Sequence, residues 1–369
     1  MDARGGMDGA KTGDVPDTVV ARGYTRRQVL IAGGVALGTL AAGAVVAQRT
    51  LPLRSYWYRL TGQCGPEGPL PEDLAAPQYG TFRSRVLGRE VEYGWWAPTI
   101  LWRQRSGFRL PVCYCLPARG QGPRWVLDGP VHLADFLATP GPGGGVLALE
   151  LVAVAGGESY WHERAGGEDR MTMLLDEFIP WFEARGERGT EEPDRGAAGE
   201  GETVGGGRDD DADGGGDREA DGRVDVGGRR TRAARAVMGW SMGGYGALLA
   251  AERRPDMFAA VCAVSPALWR SYDEAVGDAF DDARDFAEND VFAGIPALRR
   301  TAVRVDCGRA DVFFDAARDF AARCAARTGR PVAGDLSDGC HDADYWRRVA
   351  PGELRFIARA VTEAMAQAS

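Results

Sequence analysis

Histidine is scarce in this chain: three in 369 residues, at positions 132, 162 and 341. Any chemistry that needs an imidazole has only those three places to find one. Positive charge is not in surplus either. The formal net charge is -9, and a nucleic-acid surface needs clustered positive charge, so that partner class is excluded. Much of the acidity sits in one low-complexity stretch, so charge says little about a substrate. Cysteine is sparse as well. Seven of them (64, 113, 115, 262, 307, 324 and 340) are too few for a disulfide scaffold, and no C-x-x-C pair offers a cysteine zinc site. Cys113, Cys115 and Cys262 lie in apolar runs and read as small buried hydrophobes. Cys307 and Cys340 lie on loops that the strand order brings together, and an exported protein could oxidise them, but a bridge between them is not the expected state. What the chain does have is apolar bulk, 44% hydrophobic residues with 10 Trp, 13 Phe and 10 Tyr, enough for a sizeable α/β core.

Residues 1–47 read as an address. Arg26-Arg27 stands directly before a mildly apolar Ala/Gly/Val/Leu run that ends near Ala47, with Arg49 and Arg54 following it. Weak hydrophobicity flanked by arginines on both sides resembles a twin-arginine export signal, because the ordinary secretory route tolerates the trailing arginines poorly. The expected partner is the twin-arginine translocation machinery, and the expected location is outside the cytoplasmic membrane. An uncleaved anchor is the alternative, since about 20 apolar residues span a bilayer. No later run of that length occurs, so a membrane is expected to be met only through this segment.

Residues 48–79 contain Pro and Gly and read as a connector. A domain over 80–366 follows. It opens on an alternating hairpin with a Gly-centred turn and continues with short apolar runs, 110–117 and 144–154, of the kind that form strands buried on both faces. Residues 171–185 have helical periodicity, with Pro180 expected to kink the helix. From 185 to 231 the composition breaks into acidic, Gly-rich sequence with almost no large apolar residue, read as a disordered insertion. Asp209, Asp211, Asp213 and Gly214 mimic the start of a calcium loop there, but position twelve is Ala220 rather than glutamate, so no metal site is expected. Beyond it strands and helices alternate again: strand to Ser241, helix to Arg254, strand 258–266, strand 302–308, helix 312–328, a short strand, and a last helix from about Asp344. Such alternation implies a mainly parallel sheet with helices on both faces and a site at the strands' C-terminal ends.

Gly239-Trp240-Ser241-Met242-Gly243 fits the G-x-S-x-G elbow between a strand and a helix. A serine hydroxyl is a poor nucleophile without a base, a group that orients the base, and amide donors for the oxyanion. The helix after Ser241 supplies free N–H groups at its N-terminus, and Met242 N–H is one expected donor. In hydrolases built this way the order along the chain is serine, acid, histidine, with the histidine after the final strand. Among the three histidines His341 alone obeys that order. The acid belongs at the end of the preceding strand, where Asp311 lies in the loop that opens a helix and Asp306 lies in the strand itself. Asp311 is the better placed to reach an imidazole, with Asp306 as the alternative.

"GWSMGGYGAL", "VDCGRADVFF" and "GCHDADYWRRVAP" together resemble the esterase D / antigen 85 type of putative esterases in the α/β-hydrolase superfamily. The resemblance spans roughly 80–365 without the insertion. It implies an α/β-hydrolase fold, Ser241, Asp311 and His341 as a triad, and no cofactor. It also implies an oxyanion loop after strand 110–117, where the family's His-Gly-x-Gly pattern is replaced by Pro117-Ala118-Arg119-Gly120 and the Arg119 N–H becomes the second donor. Loop aromatics Tyr160, Trp161 and Trp269 are candidates for the pocket wall or for packing. The expected reaction is hydrolysis of a small-molecule or cell-envelope ester through an acyl-enzyme. An acyltransferase would share that chemistry, and a catalytically silent binding module would keep only the fold.

Overall fold

In the computed structural model, residues 58–98, 110–139, 147–185, 230–275 and 278–368 are described. The proposed export signal and nearly all of the acidic insertion, its calcium-like motif included, lie outside them.

The chain enters with β1 (Gln78–Arg83) and β2 (Glu90–Trp96), an antiparallel pair turned through Gly88 at φ +63°. Then come β3 (Val112–Leu116), the short helices α1 (Pro123–Leu127) and α2 (Leu133–Ala138), and β4 (Glu150–Val154). Helix α3 runs in three contiguous pieces, Arg170–Thr172, a π-type turn Met173–Phe178, and Ile179–Arg185. Pro180 supplies no N–H to an i−4 carbonyl, and the π turn just before it takes up the misfit. Past the insertion come β5 (Arg235–Trp240), α4 (Met242–Arg253), β6 (Ala260–Val264), α5 (Ala283–Glu288), α6 (Val291–Gly294), β7 (Ala302–Asp306), α7 (Phe314–Thr328) and α8 (Ala343–Ala368).

The strands form one sheet in the order β1-β2-β4-β3-β5-β6-β7. The hairpin joins β4 antiparallel, and β4, β3, β5, β6 and β7 are parallel. Every residue of β3, β4 and β6 is buried, as continuous apolar strands covered on both faces should be. One core lies between the sheet and α3, α4 and α7, the other beneath α1, α2 and α8. Together these features make an α/β-hydrolase fold. Among the described residues no helix is long and apolar enough to cross a membrane.

One expectation is corrected, and one pairing comes from a cysteine the sequence did not single out. The short strand after α7 is reduced to a single parallel bridge between Arg304 and Ala333. Cys307 is a buried free thiol, and the bridge that exists joins Cys340 to Cys64, 276 residues away. Residues 58–77 are irregular, as their composition suggests, yet they are tied down. Arg59 pairs with Asp342 and Asp344 at 2.8 and 2.7 Å, Arg348 donates to Pro66 O, and the Leu74 and Ala75 amides donate to the buried Asp135.

Candidate active site

Strand β5 ends at Trp240 and α4 begins at Met242, so the backbone must reverse at Ser241. It does so at φ +53°, ψ −117°, a conformation that costs a non-glycine residue about 1–3 kcal/mol. Ser241 N–H donates to Val264 O on β6, and Ser241 O accepts from Tyr245 and Ala267 N–H, so three bonds hold the strained turn. The glycines around it are dictated by close approach. A Cβ on Gly239 would lie 2.1 Å from Gly243 O, and one on Gly243 would lie 1.9 Å from Leu116 O, so the end of β3 rests directly on the first turn of α4.

His341 lies on the loop before α8. Its Nε2 stands 2.9 Å from Ser241 Oγ and its Nδ1 2.8 Å from Asp311 Oδ2. With a carboxylate on the Nδ1 side, that nitrogen carries the proton, and Nε2 accepts from the serine hydroxyl. Asp311 is buried, and its Oδ1 accepts from Phe313 N–H at 2.9 Å. The two loops align because their backbones pair along their length: Cys307 N–H to Asp335 O, Arg309 N–H to Ser337 O, and Ala310 N–H to Gly339 O. Gly308 and Gly339 permit that contact, since a Cβ on Gly308 would lie 2.3 Å from Gly339 C. The imidazole is flanked edge-on by Phe313 and Trp346, with ring centroids at 5.4 and 5.3 Å, and Trp346 is pinned by donating to Ser265 Oγ. Burial lowers the basicity of His341, but the Asp311 charge and hydrogen bond outweigh it and leave the pKa above the usual imidazole value.

Among the described residues neither Met242 N–H nor Arg119 N–H has a hydrogen-bond acceptor. Both belong to the corner where the end of β3 meets α4. The Arg119 side chain turns outward to Glu158 and Asp278 and sits 6.0 Å from the Tyr160 ring centroid. Tyr160 packs on Trp269 at 5.5 Å, and Trp269 on Phe313 at 5.7 Å, so an aromatic wall runs up to the ring beside His341. Trp161 does not share that wall. It is fully buried, in a slot where Gly156 and Gly246 leave room for its indole, and so it is a packing residue.

The other sequence candidates fall elsewhere. Asp306 is buried in β7, where Arg304 donates to it at 2.7 Å and Asp335 N–H at 2.5 Å, so it does not orient His341. His132 pairs with Asp135 at the start of α2. His162 is buried between Tyr160 O and Asp285, stacked on Phe280. Sequence reasoning missed Phe313 and Trp346, the rings that hold the imidazole; each lies two to five residues from a triad candidate, the only sequence hint of their role. A cavity of about 380 Å³, lined by Leu175, Glu183, Arg235 and Met257 among others, opens at the start of β5, the end opposite Ser241.

A sequence model of the family described as putative esterase matches residues 222–355, a span that holds Ser241, Asp311 and His341. Among solved structures the chain is similar to a ferulic acid esterase, with a TM-score of 0.58 and 23% identity over 78% of this chain and 99% of that one. It is also similar to an S-formylglutathione hydrolase from Agrobacterium tumefaciens, with a TM-score of 0.55 and 12% identity over 80% and 99%. A third is the fluorophosphonate-binding serine hydrolase FphF of Staphylococcus aureus, with a TM-score of 0.52 and 14% identity over 79% and 98%. At these identities the structural likeness carries the fold. A search of curated proteins finds no match.

Proposed function

We propose that this chain, whose residues 222–355 match the putative esterase model, is a carboxylic ester hydrolase that works as a serine esterase through an acyl-enzyme. The observation that carries the reading is the unbroken chain of hydrogen bonds from Ser241 through His341 to Asp311 at a strained elbow. His341 Nε2 takes the hydroxyl proton as Ser241 Oγ bonds to the ester carbonyl carbon. Asp311 holds the imidazole and stabilises its cation. The oxyanion is received by Met242 and Arg119 N–H, which have no other acceptor to give up. Collapse breaks the C–O bond, and the imidazolium returns its proton to the leaving alcohol. Water, deprotonated by His341, then attacks the acyl-enzyme and releases the acid and the serine. Tyr160 and Trp269 offer an apolar wall for the part of the ester beside His341. No metal or organic cofactor enters any step.

The decisive experiment is labelling with a fluorophosphonate probe, followed by mass spectrometry of the modified peptide. The adduct is expected on Ser241 and absent in Ser241→Ala. Labelling elsewhere, or hydrolysis of a short chromogenic ester that persists in Ser241→Ala, removes the reading.

The same proposal places the enzyme outside the cytoplasmic membrane, delivered by the twin-arginine machinery. Arg26-Arg27 before a weakly apolar run supports this, as does a disulfide in the folded domain, which suits an oxidising compartment. Replacing both arginines by lysine is expected to leave the protein in the cytoplasm. Unchanged export would refute the route.

A further inference from the structure

His341 sits on a loop rather than on a strand or helix, and the residues that bracket it are all fastened to one distant stretch of chain. Cys340, its immediate neighbour, is joined to Cys64. Asp342, its other neighbour, and Asp344 are both held by Arg59. Arg348, one turn into α8, donates to Pro66 O and to Asp338 O, tying the strap to the loop from the far side. At Gly68 a Cβ would come 2.2 Å from Asp344 O, so this strap lies in direct contact with the start of α8. Alternating residues 340, 342 and 344 thus all reach a segment about 280 positions earlier, while 341 faces Ser241.

We propose that the strap formed by residues 58–68, locked by the Cys64–Cys340 disulfide, is the positioning element for His341, so that full esterase activity requires the oxidised bridge. Cys64, Cys340 and Arg59 are positioning residues; none touches the reacting atoms. The inference rests on His341 being the base of the proposed reaction.

The bridge is also within reach of a reductant. Cys340 is fully buried, but Cys64 retains slight exposure and lines a cavity of about 180 Å³ together with Arg59, Gly65, Pro66 and Asp344. A dithiol entering there attacks Cys64 Sγ through one thiolate and displaces Cys340 as its thiolate, which takes up a proton. The second thiol then closes the reductant's own disulfide and frees Cys64. The bridge gains two electrons and two protons, and the dithiol loses them. The other five cysteines are buried and unpaired, so this is the one redox couple among the described residues.

Reduction does not free the loop completely. Arg309 N–H and Ala310 N–H still bind Ser337 O and Gly339 O, and Tyr345 N–H still binds Asp342. The expected consequence is a displaced imidazole in a folded protein. A displacement of about 1 Å costs on the order of 10²-fold in rate, and it falls on kcat while KM stays within about two-fold. An imidazole that drifts from Asp311 also loses the influence that raises its pKa, so the acid limb of kcat/KM moves to lower pH.

The test uses the full-length oxidised protein, the same protein after treatment with dithiothreitol, and the variants Cys64→Ser and Arg59→Gln. Each is assayed for kcat and KM on a chromogenic ester across pH, and its near-ultraviolet circular dichroism is recorded. Oxidised protein must first label at Ser241 with the fluorophosphonate; failure there overturns the esterase reading itself. Given labelling, reduction is expected to lower kcat ~10²-fold and reoxidation to restore it. Cys64→Ser should match the reduced enzyme and not respond to dithiothreitol, and Arg59→Gln should show a smaller loss of the same kind. If Cys64→Ser does not fold, the reduced wild type with its native near-ultraviolet spectrum decides alone. Activity within two-fold on reduction, or an equal response to dithiothreitol in Cys64→Ser, overturns the proposal.

Discussion

Replacing Asp311 by Asn tests the site more sharply than removing the nucleophile, because it leaves the shape almost intact and alters one proton. In the Asp311 carboxylate, Oδ1 accepts from Phe313 N–H at 2.9 Å and Oδ2 accepts from His341 Nδ1 at 2.8 Å. Asparagine keeps the first with its amide oxygen. Its NH₂ then faces His341 Nδ1 and donates to it, so the neutral imidazole must carry its proton on Nε2. That nitrogen, 2.9 Å from Ser241 Oγ, becomes a donor where the reaction needs an acceptor. In enzymes with this constellation the tautomer switch costs about 10⁴ in kcat, or about 5.5 kcal/mol of transition-state stabilisation. The charge is lost as well. Asp311 is what holds the His341 pKa above its ordinary value against the opposing effect of burial, so in Asp311→Asn the pKa falls. The imidazole then stays neutral to lower pH, and the acid limb of the residual activity moves in that direction. Initial rates on a short-chain nitrophenyl ester from pH 4 to 9, with circular dichroism to confirm folding, supply both readouts. A folded Asp311→Asn enzyme that keeps a tenth or more of its kcat, with an unmoved acid limb, refutes the assignment.

Two stability predictions use residues away from the reaction. Gly246→Ala would set a methyl 2.4 Å from the indole of the fully buried Trp161; overpacking of about 1–3 kcal/mol exceeds the helix-propensity gain of roughly 1 kcal/mol, so the melting temperature should fall by several degrees. An unchanged or higher melting temperature would show that the indole slot is loose. Glu353 is fully buried beside Asp306, and burial, together with the charge and hydrogen bond of Asp306, pushes its pKa well above the carboxylate range. Burial also pushes Asp306 up to about 6, despite the opposing pull of Arg304. The folded state therefore retains protons that the unfolded chain releases, so these groups contribute stability that is full below the ordinary carboxylate range and lost as pH rises through the folded values. Glu353→Gln keeps the neutral shape and removes the titration. It should unfold ~1–2 kcal/mol less readily than wild type at pH 8 and equally at pH 4, and a variant less stable than wild type at pH 8 in urea titrations would refute the account.

The central parallel strands were legible because each is a short apolar run bounded by turn residues, and a strand buried on both faces leaves that trace in composition. The half-exposed hairpin β1–β2 showed instead by alternation and its Gly-centred turn. Ser241 was legible for a different reason. Gly239 and Gly243 are required by contacts under 2.2 Å, so the elbow writes its sterics into the sequence. His341 could be reached by elimination, and Asp311 could be preferred to Asp306 because only a residue past the strand can reach over its edge. The structure adds the reason: Asp306 already answers to Arg304 and to the Asp335 amide. Contacts that are distant in sequence and leave no periodicity were not legible. Nothing near Cys64 signals a partner 276 residues on, and Trp161 looks like a loop aromatic until Gly156 and Gly246, from β4's loop and from α4, are seen to open its slot. The segment after α7 contributes one bridging residue at the sheet edge, too little for a strand pattern to show.

The division of labour at the site follows from which parts of it the sheet can hold. Ser241 is fixed by backbone bonds to Val264 on β6, to Ala267 beyond it and to Tyr245 in α4, and these hold its angle without a side chain. Asp311 is fixed by a turn of its own, with Asp311 N–H bound to Gly308 O and its Oδ1 to Phe313 N–H. His341 has neither kind of support from the sheet. Its loop follows β7's extension for three hydrogen bonds and then leaves it at Gly339, two residues before the imidazole. From that point the geometry depends on rings at either side and on the strap that grips residues 340, 342 and 344. Under the proposed mechanism, displacement of His341 should therefore be the first functional failure under mild perturbation, ahead of any loss of Ser241's strained turn. In a urea titration, esterase activity should disappear before near-ultraviolet signal from the core, and the gap between the two midpoints should widen when the disulfide is reduced. Coincident midpoints in both redox states would show that His341 is held by the domain as a whole.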